Sequence, residues 1–277
     1  VKREPGPRLI EDFDIGLYHA HPAISKSGLD SIELSPAIYF ARHLNPFRPP
    51  AKEKAGQLEG NLAHCMILEP AEFDKRYVVG PEVNRNTKVW KEFVETNANR
   101  VAIQPEQMKT ATHQAMSVRT LPDVADLLAN GKPEVSAFWR DEDTGAECRC
   151  RPDWVHPARD DAVILMDVKT YSIASVGEFS RQVARKAYDK QAAFYTDGYE
   201  KASGKTVLGF VFVAVENEFP YAANAFMLDE DSLEAGRQKY RKNLRTYAEC
   251  MRTEKWPGYS NGINLIRLPS WALFTED

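Results

Sequence analysis

Apolar positions along this chain change their period near residue 131. Up to that point they recur mainly at helical spacing; beyond it, alternating and continuous apolar stretches dominate. Residues 1–23 are rich in Pro, Gly and charge and predict an arm or loop. Ile24-Ser25-Lys26-Ser27-Gly28-Leu29 then opens a helix, with Ser25 or Ser27 as its N-cap. That helix runs through Leu34, Ile38 and Phe40 to about His43, and Pro36 is able to start a new one. Pro46, Pro49 and Pro50 break the chain. A second helix is expected over 57–68, ended by Glu69-Pro70. Residues 80–100 are polar and show no clear period. Helices over 105–119 and 123–130 follow, and Gly131 stops the latter.

The second half predicts a sheet. Strands are expected over 134–140 and 146–152, joined by the turn Asp141-Glu142-Asp143-Thr144-Gly145. Residues 162–169 are apolar on both faces, which marks a central strand. A long helix over 176–201, strands over 206–215 and 221–228, and a final helix over 230–253 complete the order. The helix after the third strand permits a right-handed parallel crossover. The fold class expected is α/β, a mixed central sheet flanked by helices. Residues 24–277 are expected to form one domain, with a helical part over 24–130 and a catalytic core over 131–277.

With 277 residues, 43% of them hydrophobic, the chain can bury a core of ordinary size. No stretch approaches the roughly 18 apolar residues of a membrane span, and the run 209–215 reads as a buried strand. The start carries no secretory signal pattern, and Val1 in place of Met suggests a piece of a longer chain. Cys65, Cys148, Cys150 and Cys250 include no CxxC pair, so a zinc ribbon is not expected; scattered thiols fit a reducing, cytoplasmic compartment. Cys148 and Cys150 would share a strand face. The net charge of −4 leaves room for nucleic acid, because binding depends on local patches. Two basic clusters exist: Arg181, Arg185, Lys186 and Lys190, and Arg237, Lys239, Arg241, Lys242 and Arg245. On charge alone both read as solvated helix faces.

The chemistry lies in Arg151-Pro152-Asp153, thirteen residues, and then Asp167-Val168-Lys169. Asp167 and Lys169 are two apart on one strand, so their side chains share a face. Asp153 is expected to end the preceding strand of the same sheet and to converge with them. Two carboxylates suit a hard, oxygen-seeking ion such as Mg²⁺, which polarises a phosphate and acidifies a bound water. Lys169 can orient that water and stabilise developing negative charge. A bare D-x-K is common and often marks plain strand-end charges. Here Asp167 follows five apolar residues, where an unpartnered charge is costly.

These segments resemble the C-terminal nuclease domain of the RecE exonucleases, within the PD-(D/E)XK superfamily, whose core is restriction-endonuclease-like. The resemblance runs from about Ile15 to Trp271. It rests on Ile24-Ser25-Lys26-Ser27, GNLAHCMILEP over 60–70, CRCRPD over 148–153, MDVKT over 166–170 and QAAFYTDGYE over 191–200. Asn243-Leu244-Arg245-Thr246 and Glu254-Lys255-Trp256-Pro257 add to it. The resemblance implies that Asp153 and Asp167 bind metal, with His64 and Val168 completing the set, and that Lys169 is the catalytic lysine. It implies a Gln-x-x-x-Tyr motif at Gln191 and Tyr195, which share one helical face. Glu134 matches an acidic position on the first core strand. Lambda-type exonucleases use a turn similar to Ser25-Lys26-Ser27 near a 5′-phosphate, and a helix N-terminus suits that anion. Each residue also has a plain reading: His64 as a packing histidine, Gln191 as a sheet-edge cap, Tyr195 as core, Glu134 as a strand-start charge, and Ser25 or Ser27 as a simple N-cap.

The function so implied is a Mg²⁺-dependent 5′→3′ exonuclease, with Mn²⁺ able to substitute. Its substrate would be linear double-stranded DNA and its products mononucleotides and a 3′ tail for a RecT-like annealing protein. The family also implies a homotetrameric ring, with Arg181, Arg185 and Lys186 as candidates to line its channel. The rival readings are a DNA-end-binding module without activity and another PD-(D/E)XK endonuclease. An iron–sulfur nuclease is disfavoured, since only Cys250 lies late in the chain.

Overall fold

A computed structural model of the protein describes residues 6–50 and 55–273. Its first half holds β1 (Arg8–Ile10), α1 (Ile15–Ala20), α2 (Lys26–Leu34), α3 (Pro36–Tyr39), α4 (Gln57–Leu68), α5 (Phe73–Arg76), β2 (Tyr77–Val79), α6 (Lys88–Thr96), β3 (Val101–Ile103), α7 (Pro105–Arg119) and α8 (Pro122–Ala129). Its second half holds β4 (Lys132–Pro133), β5 (Ser136–Arg140), β6 (Glu147–Cys150), β7 (Trp154–Arg159), β8 (Ala162–Tyr171), α9 (Val176–Lys186), α10 (Tyr188–Ser203), β9 (Thr206–Glu216), β10 (Ala223–Met227), α11 (Glu230–Thr253) and the short α12 (Ser270–Leu273). No helix among the described residues is long and apolar enough to cross a membrane.

The main sheet has five strands in the order β10-β9-β8-β7-β4. β8 pairs in parallel with β9, the crossover being α9 and α10, and antiparallel with β7. Strand β8 alternates between two cores. Met166 and Val168 face a cluster with Ala63 and Ile67 of α4 and Ala115 and Val118 of α7. Val163 and Leu165 face a cluster with Phe179 of α9, Phe194 of α10 and Leu244 of α11. Helices therefore cover both faces, as a strand apolar on both sides requires. Cys148 and Cys150 share the second cluster as expected, and all four cysteines are free and buried.

Several expectations need correction. The N-terminal arm contains, within its described part, β1 and α1; β1 joins β5 and β6 in a separate three-stranded sheet, and residues 1–5 lie outside the described residues. Its Pro- and Gly-rich composition hid a strand of only three residues. Strand β7 was not anticipated, because Pro157 interrupts its pattern where the register with β8 shifts. Asp153 therefore precedes a strand of the main sheet instead of ending β6, which belongs to the smaller sheet. β4–β5 and β6–β7 are the two arms of one bent hairpin that passes from sheet to sheet. Glu134 sits at the bend with φ 53° and donates its N–H to the Asp153 carbonyl at 3.1 Å. Residues 80–100 contain α6, which the lack of a clear period concealed. The expected helix over 176–201 is two helices, broken at Ala187 in the left-handed region.

The first basic cluster is not a uniform solvated face. Lys190 is completely buried, held by Asp30 at 2.7 Å and by Glu33. In the second cluster Arg237 pairs with Asp197, Lys239 with Asp189 and Arg241 with Asp143.

Candidate active site

The hairpin bend lies beside the carboxyl half of β8, and two opposite helical layers reach it. From β8, Asp167 and Lys169 project on the α10 side. Asp167 is only 3% exposed. One of its oxygens accepts the Gln191 side-chain N–H at 2.6 Å. The other pairs with the Lys169 ammonium. From the bend, Asp153 accepts the Val168 backbone N–H at 2.7 Å. From the other layer, α4 brings His64 over the strand. Its Nε2 lies 2.9 Å from the Val168 carbonyl oxygen and its Nδ1 3.5 Å from Asp153 Oδ2. A carbonyl can only accept, so Nε2 is the nitrogen that donates there, and Nδ1 is the one aimed at Asp153.

One ligand atom each from His64, Glu134 and Asp153 lies within 4.8 Å of the other two. Burial and the neighbouring Asp153 push the Glu134 carboxyl up to about 8. Burial and Asp167 push Asp153 up to about 6, against the pull of His64 and Lys169. Burial alone would lower Lys169, but Asp167 and Asp153 outweigh it and hold the ammonium above its usual range. Crowded carboxylates and an imidazole nitrogen aimed among them form a donor set that fits a divalent cation. His64, Asp153, Glu134 and Asp167 are the residues that could hold it. Val168 contributes through its backbone, orienting His64 with its carbonyl and Asp153 with its N–H.

Gln191 thus touches the site directly. Tyr195, one turn on, is half-buried with its ring 5.9 Å from Phe210. Burial holds its phenol far above the usual range, with Tyr18, Cys150 and the two site aspartates adding. Ser25 caps α2 and its hydroxyl lies 3.0 Å from that of Ser27. This turn is close to the site: the Lys26 and Lys169 ammonium groups lie 5.8 and 5.0 Å from the centre of one ring, Tyr188. Lys26 also donates to the Lys186 carbonyl at 2.9 Å, joining the end of α9 to the start of α2. Arg185 and Lys186 are exposed there, while Arg181 is turned onto Glu178.

Two participants were weakly legible or missed. Glu134 read more readily as an ordinary strand-start charge than as a ligand, since its bend conformation leaves no sequence signal. Arg151 was noted only as part of a motif; its Nε donates to Ser136 Oγ at 2.7 Å and lies 3.9 Å from Glu134. The Arg-Pro-Asp spelling was the available clue.

A model of the PDDEXK-like domain of unknown function (DUF3799) matches residues 25–269. The chain belongs to that family. The match spans both helical layers and every residue of the site. Among solved structures, a chain from Eubacterium rectale provisionally named an exonuclease is similar over 95% of this chain and 96% of its own, at 12% identity and a TM-score of 0.62. That likeness shows a shared fold. SSO0001 (13% identity, 68% of this chain and 87% of that one, TM-score 0.29) and protein VC1899 from Vibrio cholerae (9%, 89% and 59%, TM-score 0.24) are more distant. No curated protein matches the sequence.

Proposed function

We propose that this PDDEXK-like protein is a divalent-metal-dependent exonuclease acting on linear double-stranded DNA. The observation that carries the proposal is the convergence of Asp153, Asp167, Lys169 and His64 at one strand bend. The name of the Eubacterium rectale neighbour favours exonuclease over endonuclease. A divalent ion, Mg²⁺ or Mn²⁺, would supply positive charge at the scissile phosphate and acidify an attacking water. The chain's own residues do the rest. Lys169, held cationic by two carboxylates, stabilises charge developing on the phosphate and orients the water. Gln191 fixes the Asp167 carboxylate, and Arg151 balances the charge of Glu134. The Ser25-Lys26-Ser27 turn, beside Lys169, offers free N–H groups and hydroxyls to a terminal 5′-phosphate. Arg185 and Lys186 continue that positive edge toward the DNA backbone.

We further propose 5′→3′ polarity, a ring of copies and supply of a 3′ tail to an annealing protein, on the RecE-like motifs alone. The test is digestion of linear duplex labelled separately at each 5′ and 3′ terminus, with Mg²⁺ or Mn²⁺. Early release of 5′ label as mononucleotide is the expected result. Early release of 3′ label overturns the polarity. Metal-independent end binding without nucleotide release overturns the enzyme.

A further inference from the structure

Helix α11 is followed by an extended segment, which contacts among the described residues hold at its start. Trp256 stacks on Tyr39 at 5.6 Å, and the Pro257 carbonyl accepts the Ala37 N–H at 3.1 Å. Beyond this anchor, large apolar side chains alternate with polar ones and lie uncovered. Ile263, Leu265 and Ile266 are 105, 102 and 83% exposed, and Tyr259 and Leu268 are also exposed. Arg267 is the only charged residue between 258 and 269. Scattered single apolar side chains are ordinary on a surface, but a contiguous run of this kind marks an interaction segment.

A groove without a cover lies elsewhere, between α9, β10 and the first half of α11. Its volume is about 490 Å³, and Phe179, Val183, Phe226 and Leu228 line it. Val176 and Met227 on its walls are largely exposed. The groove also contains Asp189, which is 95% buried. One Asp189 oxygen takes the Lys239 ammonium; the other, Oδ1, has no hydrogen-bond partner. A buried carboxylate oxygen left unpaired calls for a donor from outside the chain.

We propose that this groove receives the 263–268 segment of a second copy of the protein. Its Ile and Leu side chains cover the apolar wall, and Arg267 donates to Asp189 Oδ1. The charges match: the segment carries one cation, and the groove holds Asp189, Asp229 and Lys239, which leaves it one negative charge in excess. Each copy offers both halves of the contact and uses neither on itself. The contact is heterologous, so repeated exchange closes a ring where the rotation permits.

The arm leaves from Thr253, at the opposite end of α11 from the groove, and an extended arm could also reach back to its own groove. Light scattering at micromolar concentration separates the two. Wild type is expected at a multiple of 31.4 kDa. An arm variant, Leu265→Asp, and a groove variant, Val176→Glu with Met227→Glu, are each expected at the mass of one chain. These substitutions fall on exposed positions, and circular dichroism checks the fold. An equimolar mixture of the two variants is expected to recover a two-chain species, because one intact arm and one intact groove remain. A monomeric wild type, variants that keep the wild-type mass, or a mixture that stays monomeric each overturns the proposal. A monomeric wild type whose 263–268 amides resist hydrogen exchange shows the chain's own groove as the receiver. Mass is read without nuclease activity, so this proposal and the nuclease reading stand or fall separately.

Discussion

Replacing His64 by alanine should remove most metal binding without unfolding the protein. The ring is not deep core: 31% of its side chain is exposed, and its two polar contacts are the Val168 carbonyl and Asp153. An ion that binds only the folded state at 100 times its Kd stabilises by about 2.7 kcal/mol. At about 2–4 °C per kcal/mol for a domain of this size, Tm should rise by about 5–11 °C. Even outer partners of metal ligands change affinity by about 10–100-fold, so loss of a direct ligand is set at about 100-fold. At the same ion concentration the variant then sits near its own Kd, gaining about 0.4 kcal/mol, or about 1–2 °C. The assay is thermal unfolding against Mn²⁺ and Mg²⁺, with His64→Gln as a bulkier control. The loss should be larger for Mn²⁺, since imidazole suits it better. An unchanged midpoint and plateau in His64→Ala would make His64 a packing residue and leave the carboxylates alone as the site.

Lys169→Ala should lower kcat at least tenfold, about 1.4 kcal/mol of transition-state stabilisation, while DNA binding measured by anisotropy stays near wild type; a smaller loss in single-turnover cleavage removes its assigned role. Asp167→Asn should behave alike but should also weaken metal-induced stabilisation. Lys190→Met strands Glu33 and leaves Asp30 with Lys26 alone; full loss of a buried partner costs about 3–5 kcal/mol, reduced here to about 1–3 kcal/mol because both acids are partly solvated, and an unfolding free energy from urea titration lowered by less than about 0.5 kcal/mol refutes it. The metal-free protein should lose stability as pH rises from the ordinary carboxylate range up to the raised values of Asp153 and Glu134, about 6 and about 8, because over that window the folded state holds protons that the unfolded chain has already released. Saturating Mg²⁺ should flatten that slope, and equal slopes with and without metal count against the shared site.

What could be read in the sequence was what local chemistry dictates. The helix at 57–68 begins and ends where its composition and the following Glu69-Pro70 place it, and 105–119 and 230–253 match as well. Asp167 and Lys169 share a face because two residues in a strand always do. Meeting points were not legible. Nothing in Gly60-Asn61-Leu62-Ala63-His64 says that α4 packs on β8. The Asp153 position was foreseen but its element was not, because Pro157 masks β7. The burial of Lys190 could not be seen because its partners lie more than 150 residues away.

The break at Ala187 shows how such a long-range arrangement is fixed. Continuous helix over 176–201 would rotate every residue of α10 relative to the sheet. Instead the left-handed Ala187 restarts the helix, and its first turn presents three consecutive side chains in three directions, about 100° apart. Asp189 meets Lys239 of α11, Lys190 meets Asp30 and Glu33 of α2, and Gln191 meets Asp167 of β8. Three contacts to three elements leave α10 no freedom to turn about its axis. The Gln191 bond to Asp167 is therefore set by the pairs on either side of it. The Lys190 contact ties the same turn to the helix that carries Ser25 and Ser27. Loss of Lys190 should consequently disturb the carboxylate and the serine turn together, a coupling that substitution of Gln191 alone would not produce.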